Sequence, residues 1–365
     1  MHSRIPWTHH HCPTSSPRPR RLHATTSKLG PSSHQEHAAD TDKKSEEYSD
    51  VMSARMGASL TYRHEDGMNY NRILDNIIVG SCLQTPEDAN LLAEEEDVKT
   101  ILCLQEDSDM AYFSLDVAPI RQEASLIGMQ HLRHAIRDFD PYSLRRRLPG
   151  AVALFTQAMQ RNGGTGYVHC TAGLGRAPAA ALAYMWWVEG IPLHEAYSLL
   201  TSIRPCKPKA DAIREAAVDL LYGNGCIPVK ITVLRRGTAE KVEMAGMDVG
   251  WGQSVPLTSH HSTNGHLTTV RSLPPGKFQF KFIWDGVWGP CLDHLTMVDG
   301  DNLNNYIIVP DADMGKEAAA ARRRIRSADG DLTGDERETI RKALAEMRVD
   351  GDSCSAPADL GGDLS

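Results

Sequence analysis

No stretch of this chain is apolar for long enough to cross a membrane. Nor is positive charge in excess. The 39 basic side chains stand against 47 acidic ones, a net charge of −8, which excludes a polyanion or nucleic-acid footprint spread over the whole protein. The eight cysteines form no Cys-x-x-Cys pair and no zinc spacing, a pattern that fits free thiols in a reducing compartment and not a disulfide framework. The first 35 residues lack Asp and Glu altogether. They carry Arg4, Arg18, Arg20, Arg21 and Lys28 among many Ser, Thr and Pro, and they lack the apolar centre of a secretory signal. That composition is expected of an organelle transit peptide, with a plain disordered tail as the alternative. His9, His10 and His11 beside Cys12 read as a histidine-rich disordered tract in preference to a metal site. The run from Asp329 to Gly334 hints at a calcium loop, but Ile340 stands where the bidentate glutamate belongs. No metal or cofactor is expected.

What the chain does contain is Val-His-Cys-Thr-Ala-Gly-Leu-Gly-Arg at residues 168–176. Cys170 can attack only as a thiolate, and a free cysteine at neutral pH is mostly the thiol. A loop feeding a helix N-terminus favours the anion. The N–H groups of Thr171, Ala172, Gly173, Leu174 and Gly175 turn inward, and the helix dipole adds positive partial charge. Gly173 and Gly175 permit the curl, and Arg176 closes the ring with a planar fork matched to two phosphate oxygens. One cradle thus serves both the sulfur and a phosphate dianion, which is the chemistry of a cysteine-dependent phosphatase. The spacing of Cys and Arg alone is a weak signal, and arsenate reductases and rhodanese-like proteins have related loops. The β-like run before the loop and the long apolar helix after it supply the specificity.

Transfer of phosphate to Cys170 needs an acid for the leaving oxygen and then a base for water, and one carboxyl group can do both in turn. The segment Ile136-Arg137-Asp138-Phe139-Asp140-Pro141 supplies it. Asp138 is favoured; Asp140 is the rival, although the proline after it suits a turn. Phe139 is either a platform for substrate or a loop anchor. His169 is expected to organise the loop, since strand alternation turns it away from Cys170.

The length leaves room for two domains. Residues 36–60 read as a linker leading into a helix. Strand candidates at 76–82, 100–104, 130–136 and 167–170 alternate with helical stretches at 86–96, 144–161, 177–188, 193–202 and 210–222. This implies an α/β domain with a parallel-rich central sheet flanked by helices, with ligands bound at the carboxyl ends of the strands. Short strand candidates at 227–234, 241–244, 255–258, 267–270, 278–284 and 306–309 imply an all-β sandwich. The expected boundaries are 1–47 for transit peptide and linker, 48–225 for the phosphatase domain, 226–312 for the sandwich, and 313–365 for a charged tail with one helix.

Three segments make the chain recognisable: residues 136–140 and 169–179, and Arg-His-Glu-Asp-Gly-Met-Asn-Tyr at 63–70. Together with Gly-Ser-Cys-Leu-Gln-Thr-Pro-Glu-Asp at 80–88, they resemble the plant and algal phosphoglucan phosphatases of the starch-excess type. The resemblance runs from about residue 48 to residue 350. It implies a dual-specificity phosphatase domain followed by a glycogen-binding-type carbohydrate-binding module. It implies Cys170 as nucleophile, Asp138 as acid, Arg176 as phosphate clamp, and phosphorylated α-glucan as substrate in the chloroplast. Phe139, Trp251, Lys281, Trp288, Asn304 and Asn305 then match glucan-contacting positions, and Tyr112 is expected beside Phe139 in a glucan-wide pocket. An unaided β-sandwich tryptophan is more often core than platform, and Trp284, at a strand end, stays open between the two. Ala177 departs from the Ser or Thr usual after the clamp in wider cysteine phosphatases, so slower breakdown of the enzyme intermediate is expected. A protein phosphatase localised by its module and a non-catalytic glucan-bound scaffold are the rival functions. Neither a nucleic-acid nor a membrane partner is expected, and the chain reads as a monomer. Cys103 ends a strand expected next to that of Cys170, either as a buried hydrophobe or as the partner in a reversible Cys103–Cys170 disulfide.

Overall fold

The β-branched runs between Tyr70 and His169 assemble one five-stranded sheet in the order β1-β2-β5-β3-β4. The strands are β1 (Tyr70–Leu74), β2 (Ile77–Gly80), β3 (Val98–Cys103), β4 (Gln130–Arg133) and β5 (Thr165–His169). The β1–β2 pair is antiparallel, whereas β2, β5, β3 and β4 run parallel. Strands β2 and β5 are buried along their whole length, as a sheet covered on both faces requires. The computed structural model describes residues 33–235, 237, 239–259, 265–311 and 316–349. The stretch read as a transit peptide and the histidine run lie outside them up to residue 32.

Helices α1 (Ser33–Met56), α2 (Pro86–Glu96), α3 (Asp107–Tyr112), α4 (Val117–Leu126), α5 (Pro141–Asn162), α6 (Arg176–Tyr184), α7 (Leu193–Ile203) and α8 (Ala210–Tyr222) accompany this sheet. Local chemistry sets several of their ends. Helix α2 opens with Pro86 and a reciprocal Thr85–Asp88 capping box. Helix α5 opens on Asp140, whose carboxylate accepts from the N–H groups of Tyr142 and Ser143, with Pro141 in the first turn. Leu148, Ala151, Val152 and Phe155 of α5 pack with Leu182, Trp186, Ile213 and Ala217 into the main core. Leu92, Ile120 and Ala124 of α2 and α4 cover the other face against Ile78, Ile101 and Tyr167.

The second unit is a β-sandwich. One sheet pairs β6 (Ile227–Leu234), β10 (His266–Leu273) and β9 (Thr258–Ser259). The other runs β13-β14-β11-β7-β8, with β12 on β11. Its strands are β7 (Val242–Gly246), β8 (Gly250–Pro256), β11 (Gly276–Trp284), β12 (Val287–Gly289), β13 (Thr296–Asp299) and β14 (Asn302–Val309). Phe278, Phe280 and Phe282 alternate inward to meet Ile231, Val233 and Leu267.

Two segments differ from the sequence reading. Residues 36–60 are mostly helix and not linker, because α1 begins at Ser33 and is held by hydroxyls. Ser49 Oγ donates to Tyr62 O and accepts from Tyr62 N, and Ser53 Oγ repeats the exchange with Leu60. Among the described residues beyond Asp311 there are two helices, where the reading expected one: α9 (Lys316–Arg326) and α10 (Gly334–Glu346). Ile325, Leu332, Ile340 and Leu344 enter the phosphatase core. Helix α9 escaped notice because its charged face dominates a short sequence, while Arg322 and Arg326 are consumed by Asp311 and Glu215. In the rejected calcium loop, Asp331 accepts from Trp186 Nε1 at 2.6 Å.

Candidate active site

Strand β5 ends at His169, so Cys170 is the first residue past the carboxyl edge of the sheet, and the loop to Gly175 feeds the N-terminus of α6. The loop carbonyls are tied down from behind. Arg204 Nε donates to Gly173 O at 2.7 Å and Nη2 to Ala172 O at 3.0 Å, while Nη1 donates to Asn71 Oδ1 and Nη2 also to Asn69 Oδ1. Turning carbonyls outward leaves the N–H groups facing the centre. Gly173 has φ +70°, and a Cβ there would stand 2.3 Å from Gly80 O, so only glycine fits. Arg176 is buried. Its Nη1 pairs with Asp109 at 2.5 Å and its Nη2 with Asp138 at 3.0 Å, while Nε has no hydrogen-bond partner among the described residues. A buried guanidinium N–H left open at the rim of a ring of N–H groups is suited to an anion.

His169 is buried, and burial lowers it to about 4, so it is neutral at physiological pH. Asp138 and Asp140 have separate tasks. Asp140 caps α5 and accepts from Arg137. Asp138 faces Arg176, and burial pushes its carboxyl above the ordinary aspartate value although Arg176 opposes the shift. Phe139 has φ +55°, a left-handed conformation rare for an aromatic residue. Arg55 stacks over its ring at 5.3 Å.

The phosphatase site and the sandwich share one groove of about 300 Å³. Cys170, Asp138, Phe139 and Arg176 line it from the phosphatase unit, and Trp251, Lys281, Trp288 and Asn304 from the sandwich. Arg137 Nη1 bridges the acid loop to the sandwich by donating to Val249 O at 2.8 Å. Trp288 is 48% exposed. Lys281 points away from Phe280 and Phe282 and donates to Asn302 Oδ1 at 3.2 Å.

Other expected contacts lie elsewhere. Tyr112 is not in the groove: its hydroxyl is turned to Lys44 O and Glu47 of α1. The inner position belongs to Phe113, which clusters with Tyr48, Tyr62 and Phe139. The dipeptide Tyr112-Phe113 gave no local sign of which ring turns inward at the end of α3. Asn305 is fully buried; it accepts from Cys291 N and donates to Cys291 O, holding the sandwich together. Its neighbour Asn304 points the opposite way, as strand alternation demands. Trp284 packs on Phe282 in the core. Asp299, Asn302, Lys207 and Lys209 also line the groove. Sequence reasoning missed them because Asp299 and Asn302 flank the turn between β13 and β14 and Lys207 and Lys209 lie in the loop between α7 and α8, all remote in the chain from the cradle. Cys103 pairs in register with His169 across the parallel β3–β5 ladder.

A cysteine–arginine phosphate cradle at the edge of a parallel sheet, opening onto a β-sandwich groove, defines a cysteine-dependent phosphatase of the dual-specificity fold joined to a carbohydrate-binding module. Residues 227–315 match the family described as the glycogen recognition site of AMP-activated protein kinase. The phosphoglucan phosphatase DSP4, amyloplastic, of Castanea sativa is 46% identical over 311 residues, 84% of this chain and 82% of that protein. The phosphoglucan phosphatase LSF1, chloroplastic, of Arabidopsis thaliana is 31% identical over 73% of this chain and 46% of its own length. Laforin of Mus musculus is 29% identical over 46% of this chain and 54% of its own. The chain belongs to the phosphoglucan phosphatase family.

Proposed function

We propose that this protein hydrolyses phosphate monoesters of starch-type α-glucan through a cysteinyl-phosphate intermediate, in the plastid. The observation that carries this reading is one groove lined by Cys170 together with Trp251 and Trp288. The plastid assignment is supported by the amyloplastic and chloroplastic names of the relatives and by the acid-free N-terminal composition.

In this reading the phosphate dianion lies on the N–H groups of residues 171–175 and the fork of Arg176. The Cys170 thiolate attacks phosphorus while Asp138 donates its proton to the departing glucosyl oxygen. Asp138, now a carboxylate, takes a proton from the water that attacks the thiophosphate, which releases inorganic phosphate and restores the thiolate. Ala177 lacks a hydroxyl to assist that second step. Trp251 and Trp288 offer flat apolar faces to the C–H side of glucose rings, and Lys281 and Asn304 offer polar partners to hydroxyls. Residues 48–225 with α9 and α10 form the catalytic unit, and 226–312 the glucan module. Cys103 is in register with His169 and shares its face of the sheet, so a Cys103–Cys170 disulfide under oxidation requires the loop after β5 to turn the nucleophile toward it.

Phosphate release from phosphorylated amylopectin, compared with release from phosphopeptides, tests the substrate class. The expected result is a clear preference for the glucan. Faster turnover of phosphopeptides would instead mark a protein phosphatase localised by its module.

A further inference from the structure

One side chain in the groove has no part in the mechanism above. Tyr48 projects from α1, and its ring lies 5.8 Å from Tyr62, 5.8 Å from Phe113 and 6.0 Å from Phe139. Its hydroxyl donates to Asp138 Oδ2 at 2.8 Å. The other oxygen, Oδ1, accepts from the N–H of Phe139. Oδ2 also pairs with Arg176 Nη2 at 3.0 Å, so the phenol sits on the oxygen that faces the phosphate clamp. A hydroxyl bonded there, on a flat ring that reaches the groove beside Cys170, stands where the leaving oxygen of a phosphate ester must stand.

We propose that Tyr48 fills the leaving-group position of the resting enzyme and is a specificity-determining residue, displaced readily by a glucan chain and poorly by a small phosphate ester. The inference rests on the reading of Asp138 as the acid. A polymer gains binding energy from Trp251 and Trp288 while it displaces the ring, and an aryl phosphate has no such remote contacts. The helix need not leave. Ser49 and Ser53 anchor α1 to the segment at Leu60 and Tyr62, and Ser45 donates to Glu65 and accepts from His64 N. None of these bonds involves Tyr48, so its side chain can swing out while the helix stays docked. Arg55, Asp109, Glu106 and Arg176 are the charged groups around the position, and none of them bonds the phenol.

The test uses the full chain with Tyr48→Ala and Tyr48→Phe, assayed on p-nitrophenyl phosphate and on phosphorylated amylopectin. If the ring fills the site in most molecules, removing it restores the lost competent fraction. The kcat/KM of Tyr48→Ala on the aryl ester should then rise about fivefold or more, with a smaller change on amylopectin. Tyr48→Phe keeps the ring contacts and removes the hydroxyl from Oδ2, so it should lie between wild type and Tyr48→Ala. A fall in aryl-ester kcat/KM in both variants at unchanged Tm, or an unchanged ratio between the substrates, would overturn the proposal and make Tyr48 a wall or support of the site. Should Tyr48→Ala fail to fold, Tyr48→Phe alone decides: no rise on the aryl ester overturns it. Asp138→Ala is measured in parallel. If it spares amylopectin turnover, the acid assignment fails. If it abolishes that turnover while the Tyr48 variants match wild type, only the proposal for Tyr48 fails.

Discussion

Replacing Trp288 by alanine should separate glucan binding from phosphate chemistry. The indole is 48% exposed and lies on the short strand β12, lining the groove from the sandwich unit. A tryptophan offers roughly 200 Å² for burial, so roughly 100 Å² is left for a sugar face to cover. At about 25 cal/mol per Å², that area is worth at most about 2.5 kcal/mol. A glucose face is only partly apolar and association has its own cost, so about 1–2 kcal/mol should survive, close to a tenfold loss of affinity. Depletion of the protein by soluble amylopectin gives the affinity, and p-nitrophenyl phosphate turnover reports the cradle. The expected outcome is an affinity lower by about tenfold with aryl phosphate turnover within about twofold of wild type. Unchanged affinity, or reduced affinity that comes only with a lower Tm, would refute the platform argument and return Trp288 to a structural role. Trp251→Ala should behave alike.

The acid can be tested by leaving group and by pH. Burial holds the Asp138 carboxyl above the ordinary aspartate range, so its proton persists to higher pH, and glucan kcat/KM should fall as pH rises through that raised value. Asp138→Ala should remove this limb and slow glucan hydrolysis far more than aryl phosphate hydrolysis; equal slowing of both would return the role to structure. Ile340→Ala on α10 empties a fully buried core position and should cost about 2–5 kcal/mol, measured by urea unfolding. A change below about 0.5 kcal/mol would mean α10 is peripheral. Peroxide should inactivate the wild type reversibly, with dithiol restoring activity. Burial pushes the Cys103 thiol up to about 11, which keeps it protonated and makes any attack on an oxidised neighbour slow. Cys103→Ser should lose that protection, and equal recovery would remove Cys103 from the switch.

The parts of the site that lie within one loop were legible in the sequence. The cradle at 170–176 is local, so its glycines, its arginine and the helix behind it declare themselves together. Asp140 was only half legible: the proline after it suggested a turn, and the structure makes it the cap of α5, which starts three residues before the helical stretch read from the sequence. What could not be read is long-range. Arg204 reaches the loop carbonyls from beyond α7, and nothing near it in the chain signals a phosphate loop. Tyr48 meets Asp138 only because serine hydroxyls dock a polar helix that has no strong apolar stripe. Helix α9 is amphipathic, but its high charge masked the face that carries Ile325. Asn304 and Asn305 looked equivalent as a pair, and strand alternation sends one to the groove and the other to the core.

The central claim is that Cys170 carries phosphate away from an insoluble glucan, and the most direct measurement is phosphate release from native starch granules by wild type and by Cys170→Ser. The account predicts steady release by the wild type and none by the variant, with granule binding equal in the two. Release by Cys170→Ser within about tenfold of wild type would contradict it, because a mechanism built on this nucleophile leaves no route for turnover without the sulfur.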